Sequence, residues 1–157
     1  SGYFLSAARH KGFPEVSGYE ASRQQVAFGN AMLGDSLIKM NPIDEIVDLI
    51  GVVEAEVISM IGVLEHLRAP RQFLRAISQN SHVKYFYFSV PLFSVTVFFD
   101  LVFQMNFQAQ LAGRHTHLYT RKSLEWMCQE FGFDEVASWW FGADLMHLSR
   151  HMMVDIR

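Results

Sequence analysis

Histidine and tyrosine side chains cluster in one polar stretch of the sequence. His115 and His117 flank Thr116, and Tyr119 follows two positions later. If this stretch is a strand, His115, His117 and Tyr119 share one face. Because imidazole titrates near neutral pH, the pattern favours a general base that faces a substrate, with a polar surface loop as the alternative. No third ligand accompanies the histidine pair, so a metal site is not favoured.

A second candidate base, His66, lies in the run Leu-Glu-His-Leu at residues 64–67. An isolated histidine usually caps a helix or bonds a backbone group, which is the alternative role here. The run follows residues 56–61, whose apolar composition predicts a buried strand. Because ligands of parallel sheets bind beyond the carboxyl ends of the strands, this position makes His66 a candidate functional residue.

Glu20 is a candidate ligand for a ribose. It lies 18 residues after Gly2, close to the ~20-residue spacing between a glycine-rich turn and the acidic residue that bonds a ribose. A carboxylate at this point can accept both hydroxyl protons of the ribose diol. Only Gly2 of such a turn is present, so a solvated surface glutamate is the alternative.

The rest of the sequence predicts the elements that hold these residues. Apolar periodicity and turn signals predict strands at residues 16–19, 36–40, 56–61, 84–90 and 136–141. They predict helices at residues 3–9, 22–33, 70–78 and 123–131, with a further helix starting at Asn41-Pro42. This alternation is typical of an α/β fold, with a mostly parallel, doubly wound sheet and helices on both faces. We expect one domain over residues 1–157.

Composition excludes several functional classes. The chain has 157 residues with 13 Lys+Arg against 16 Asp+Glu, which argues against a nucleic-acid binder that tracks phosphates. The single cysteine, Cys128, excludes an intrachain disulfide and offers no pair for zinc. The longest apolar run, residues 90–103, is shorter than the roughly 20 residues of a membrane-spanning helix. No signal peptide is visible, so we expect a cytoplasmic protein.

Residues 92–107 form a strongly apolar segment directly after a predicted strand. A buried core helix is the favoured interpretation. The alternatives are an apolar cover over a substrate, a membrane-facing surface or a surface that forms a homodimer.

Four motifs follow one another along nearly the whole chain. They are Ser-Gly-Tyr-Phe-Leu at residues 1–5, Gly-Tyr-Glu-Ala-Ser at 18–22, the stretch 56–70 with Leu-Glu-His-Leu before Pro70, and residues 115–133. The last contains His-Thr-His-Leu-Tyr-Thr, then Ser-Leu and Phe-Gly-Phe. Together they resemble the class I S-adenosylmethionine-dependent methyltransferases, in the small-molecule branch close to ubiquinone-biosynthesis and sugar methyltransferases. Of the four motifs, the stretch 56–70 is the most specific to this family.

This resemblance implies a Rossmann-like fold that binds S-adenosyl-L-methionine. In the first half of the chain, Gly2 with Tyr3 would approach the methionine part of the cofactor. Glu20 with Ala21 would bind the ribose, and Asn41 would lie near the adenine. In the second half, Gly62 and Val63 would line the methionine side, with Glu65 and His66 at the mouth of the site. The residues implied to face the methyl acceptor are His115, His117 and Tyr119.

The reaction implied by the resemblance is an in-line displacement onto a small-molecule acceptor, which could be apolar or sugar-like. A sulfonium is already a good leaving group, so positioning supplies much of the rate. A base is needed only if the acceptor must lose a proton, and His117 or His66 is the candidate. No metal is required.

One departure from the family is the absence of the first strand and of the first glycines of the cofactor loop. We therefore expect the natural protein to be longer at its N-terminus. Two other functions stay open. One is a catalytically silent methyltransferase-like domain that acts as a binding or partner module. The other is a nicotinamide-dependent oxidoreductase, which Glu20 would fit and Leu-Glu-His-Leu would not.

Overall fold

The computed structural model describes residues 2–93, 97 and 116–140. The helices are α1 (Tyr3–His10), α2 (Arg23–Leu33), α3 (Ile46–Val52), α4 (Pro70–Gln79) and α5 (Arg121–Phe131). The strands are β1 (Gly18–Glu20), β2 (Ile38–Met40), β3 (Val57–Ile61) and β4 (Tyr85–Ser89). Short 3-10 turns cover Ile43–Glu45 and Leu64–His66. The chain divides into two compact units, Ser1–Val52 and Val53–Arg157.

The first unit is built on the parallel pair of β1 and β2, in which Gly18 lies opposite Ile38. Helix α2 connects the two strands. Ser22 caps its N-terminus, since the Ser22 hydroxyl accepts a hydrogen bond from the amide of Gln25. The Asn30 side chain bonds both the amide and the carbonyl of Ile38, at 2.8 and 2.9 Å. These two bonds attach the start of β2 to α2.

The second unit is built on the parallel pair of β3 and β4, which stay in register over five residues from Val57 opposite Tyr85. The Phe86 ring centroid on β4 lies 5.0 Å from that of Phe88 and 6.1 Å from that of Phe73. Phe73 on α4 is fully buried. The core of this unit is therefore an aromatic and aliphatic layer between one face of the strands and α4.

The local sequence signals predicted most of these elements. Pro70 begins α4, whose buried side chains are Phe73, Leu74 and Ile77. Gly132 ends α5 with a left-handed φ of 70°, a conformation that glycine adopts without a Cβ clash. The predicted helices and the first four predicted strands are present with shifted ends, and both strand pairs are parallel. The α/β class is confirmed.

The predicted strand at residues 136–141 is wrong over its described part. Residues 136–140 form no strand. Val136 and Trp139 are 79% and 71% exposed. No strand among the described residues pairs with this stretch, and high strand propensity alone does not form a strand.

Two other structural expectations are not tested by the described residues and remain predictions. Each described sheet has two strands, so one doubly wound sheet covered on both faces stays a prediction. The apolar segment 92–107 lies outside the described residues except for Leu92, Phe93 and Val97. In the described part of the chain, no helix is long and apolar enough to cross a membrane.

Candidate functional site

In the first unit, Glu20 and Asn41 lie side by side at the carboxyl ends of β1 and β2. The Asn41 amide donates to the Glu20 carbonyl at 3.0 Å, which continues the strand pairing beyond Met40. Glu20 Oε1 accepts a hydrogen bond from the Ser22 amide at 2.9 Å. The two residues lie together because neighbouring parallel strands end at a common edge of the sheet. The carboxylate is thus oriented and half-buried at the place where such sheets bind ligands.

Gly2, at the start of α1, has a conformation that other residues rarely adopt. Its φ is 84°, and a Cβ added to it would lie 3.1 Å from Leu33 Cδ1. The left-handed φ favours glycine at this position, and a Cβ here would also press on the Leu33 side chain of α2. The neighbouring candidates Tyr3 and Ala21 are both exposed, Tyr3 as the first residue of α1 and Ala21 directly after β1.

In the second unit, the chain turns sharply after β3. Gly62 has a φ of 64°, and its amide donates to the Ser89 carbonyl at 3.2 Å. Val63 precedes the 3-10 turn, in which the His66 amide donates to the Val63 carbonyl at 2.9 Å. The turn holds Glu65 inside the unit, where the residue is only 3% exposed. A Cβ on Gly62 would lie 3.8 Å from Glu65 Oε1.

The two polar stretches singled out in the sequence meet at the main chain of Glu65. Its carbonyl accepts from the Thr116 amide at 2.9 Å, the Thr116 hydroxyl at 2.8 Å and the His117 amide at 3.2 Å. The structure therefore brings residues 116–117 against the turn that follows β3. Sequence analysis missed the role of Thr116, although a hydroxyl directly before a candidate base was the available signal.

These contacts determine which nitrogen of His117 carries the proton. Thr116 Oγ1 lies 2.8 Å from the Glu65 carbonyl, 3.2 Å from the Leu67 carbonyl and 2.8 Å from His117 Nδ1. The single hydroxyl hydrogen must point to a carbonyl, since two facing oxygen lone pairs at that distance would repel. In the neutral ring, His117 Nδ1 then donates to Oγ1 and Nε2 carries the lone pair. An unprotonated Nε2 is the form that a general base requires.

Tyr119 is a hydrogen-bond donor at neutral pH rather than a base. Burial, and next the negative charge of Glu65, raise the pKa of Tyr119 to about 12. The hydroxyl lies 3.5 Å from the Leu64 carbonyl, which it can reach as a donor. Tyr119, which the resemblance implies to face the methyl acceptor, therefore keeps its proton at neutral pH and is able to donate a hydrogen bond.

The strand that would place His115, His117 and Tyr119 on one face is not present in the described part of this stretch. Residues 117–118 form no strand, and Tyr119 makes only an isolated parallel bridge with Leu92. The bonds to the Glu65 carbonyl replace strand pairing at Thr116 and His117. His115 lies outside the described residues. Among the residues that the structure does describe, no group of three or more acidic, histidine or cysteine side chains could hold a metal ion.

Comparison with known proteins identifies the family of the chain. A family model described as a methyltransferase domain matches residues 1–138, which include every candidate residue named above. No curated protein and no solved structure matches the chain. Because the family model covers most of the sequence, the chain belongs to the methyltransferase-domain family.

Proposed function

We propose that the protein transfers a methyl group from S-adenosylmethionine to a small-molecule acceptor. The observation that carries this proposal is Glu20 at the carboxyl end of β1, beside Asn41 at the end of β2. A carboxylate held there by the Ser22 amide can accept the hydroxyl protons of a ribose. Asn41 would contact the adenine.

The glycines fit a cofactor that approaches the backbone closely. Gly2, with Tyr3 as the first helical residue, presents the start of α1 without a side chain at the cap. Gly62 and Val63 form the turn after β3 that would line the methionine part. The bound cofactor supplies an activated methyl group on a sulfonium.

In the second unit, His117, Tyr119 and His66 are the residues that would act on the methyl acceptor. If the acceptor is a hydroxyl or amine, His117 Nε2 would take the proton that the acceptor loses when it receives the methyl group of the sulfonium. Tyr119 donates a hydrogen bond that orients the acceptor. His66, at the end of the turn, is the alternative base.

The test is calorimetric titration of S-adenosylhomocysteine into the full-length protein and its Glu20→Ala variant. Loss of the Glu20 carboxylate should weaken binding of S-adenosylhomocysteine by about 1.5–3 kcal/mol, which is roughly a tenfold to hundredfold rise in Kd. The matched control is Glu15→Ala, because Glu15 is an exposed carboxylate of the same unit.

The other candidate functions give different results in the same titration. Unchanged affinity in Glu20→Ala would reject the ribose role. Binding of NAD in place of S-adenosylhomocysteine would indicate an oxidoreductase, and binding of neither would indicate a silent partner module.

A further inference from the structure

The carboxylate of Glu65 has a buried oxygen with no protein partner among the described residues. Glu65 is 3% exposed, and its Oε2 accepts no hydrogen bond in that part of the chain. A buried carboxylate oxygen without a donor costs free energy, and native proteins keep few of them. A bound ligand would supply the hydrogen-bond donor that Oε2 lacks among the described residues.

The surroundings hold the backbone of Glu65 in place. Three donors from Thr116 and His117 converge on the Glu65 carbonyl, so the backbone of the residue is fixed. Glu65 follows the carboxyl end of β3, where parallel sheets bind ligands.

We propose that Glu65 Oε2 accepts a hydrogen bond from an ammonium group of a bound ligand. A cation is favoured over a neutral hydroxyl because it neutralises the buried charge as well as supplying a donor. The inference rests on the proposed function, which offers two sources for this group. One is the α-ammonium of the cofactor's methionine part, and the other is an amine on the methyl acceptor.

The experiment compares Glu65→Gln with the wild type in the full-length protein, by calorimetry with three probes. S-adenosylhomocysteine carries the α-ammonium, and 5′-methylthioadenosine lacks it. If the cofactor is the source, the variant binds S-adenosylhomocysteine about 10- to 100-fold more weakly and 5′-methylthioadenosine equally well. If the acceptor is the source, the variant binds S-adenosylhomocysteine and 5′-methylthioadenosine as tightly as the wild type does. In that case n-butylammonium binds to the wild type saturated with S-adenosylhomocysteine, and it does not bind to the variant. Glu54→Gln, an exposed carboxylate of the same unit, is the control.

Thermal unfolding separates this role from a structural one. Removing an unpaired buried charge should leave the melting temperature unchanged or raise it by up to about 4 °C. A fall of more than about 5 °C, or failure to fold, would assign the carboxylate a structural partner and overturn the inference. Equal binding of all three probes by variant and wild type would also overturn it and leave the proposed function standing. If the wild type does not bind S-adenosylhomocysteine, the proposed function fails, and n-butylammonium binding to the wild type alone decides the inference.

Discussion

Replacing Thr116 by valine should impair catalysis through His117 without removing any candidate catalytic side chain. Valine keeps the shape of threonine, and the Glu65 carbonyl keeps its bonds from the amides of Thr116 and His117. The Nδ1 atom of His117 loses its acceptor, so the tautomer with an unprotonated Nε2 is no longer favoured. The lost hydrogen bond contributes about 0.5–1.5 kcal/mol, so we expect kcat to fall about 2- to 13-fold with little change in KM.

The tautomer itself is observable by long-range proton–nitrogen correlation spectra of histidine-labelled protein at a pH where imidazole is neutral. The wild type should show His117 protonated at Nδ1, and Thr116→Val should show a mixture. Thr116→Ser restores the hydroxyl and should recover both the spectrum and kcat. Thr120→Val is the matched control, since Thr120 Oγ1 caps α5 by accepting from the Ser123 amide at 3.1 Å. It should lower stability and leave the His117 spectrum unchanged.

Two results would refute the reasoning about Thr116. The first is a wild-type spectrum in which His117 carries its proton on Nε2. The second is a Thr116→Val variant whose tautomer ratio and kcat both equal those of the wild type. Either would reduce Thr116 to a structural link between residues 116–117 and the turn after β3.

Three further predictions concern stability. Phe73→Ala should lower the free energy of unfolding by about 3–5 kcal/mol in urea titrations, because the ring is fully buried. Asn30→Ala should cost about 1–3 kcal/mol in the same assay, because the amide and carbonyl of Ile38 both lose their partner. Because the pKa of Tyr119 is raised to about 12 in the folded protein, the neutral phenol stabilises the fold below pH 10, and this contribution is lost as the pH rises towards 12. Wild type should therefore lose more stability than Tyr119→Phe between pH 10 and 12, whereas parallel curves would argue against the shift.

The features that could be predicted from the sequence are those with local causes. Pro70 and the apolar spacing of Phe73 and Ile77 define α4 within ten residues of chain. Glu20 and Asn41 follow from the rule that parallel strands end at one edge. The bond between Thr116 and Glu65 joins residues 51 apart, so no local pattern specifies it. The same holds for the burial of Glu65, which composition would place at the surface.

The contacts of Glu65 join the two candidate stretches of the second unit. Its carbonyl fixes the segment that carries His117, and through the Thr116 hydroxyl it also determines the tautomer of that histidine. Its Oε2 atom is buried without a hydrogen-bond partner among the described residues, and its negative charge helps to raise the pKa of Tyr119. Glu65 thus contacts the segment of the candidate base His117, influences the hydrogen-bond donor Tyr119, and itself carries a carboxylate that can accept hydrogen bonds. This coupling gives a physical reason for the Leu-Glu-His-Leu run and the His-Thr-His stretch to occur in the same chain.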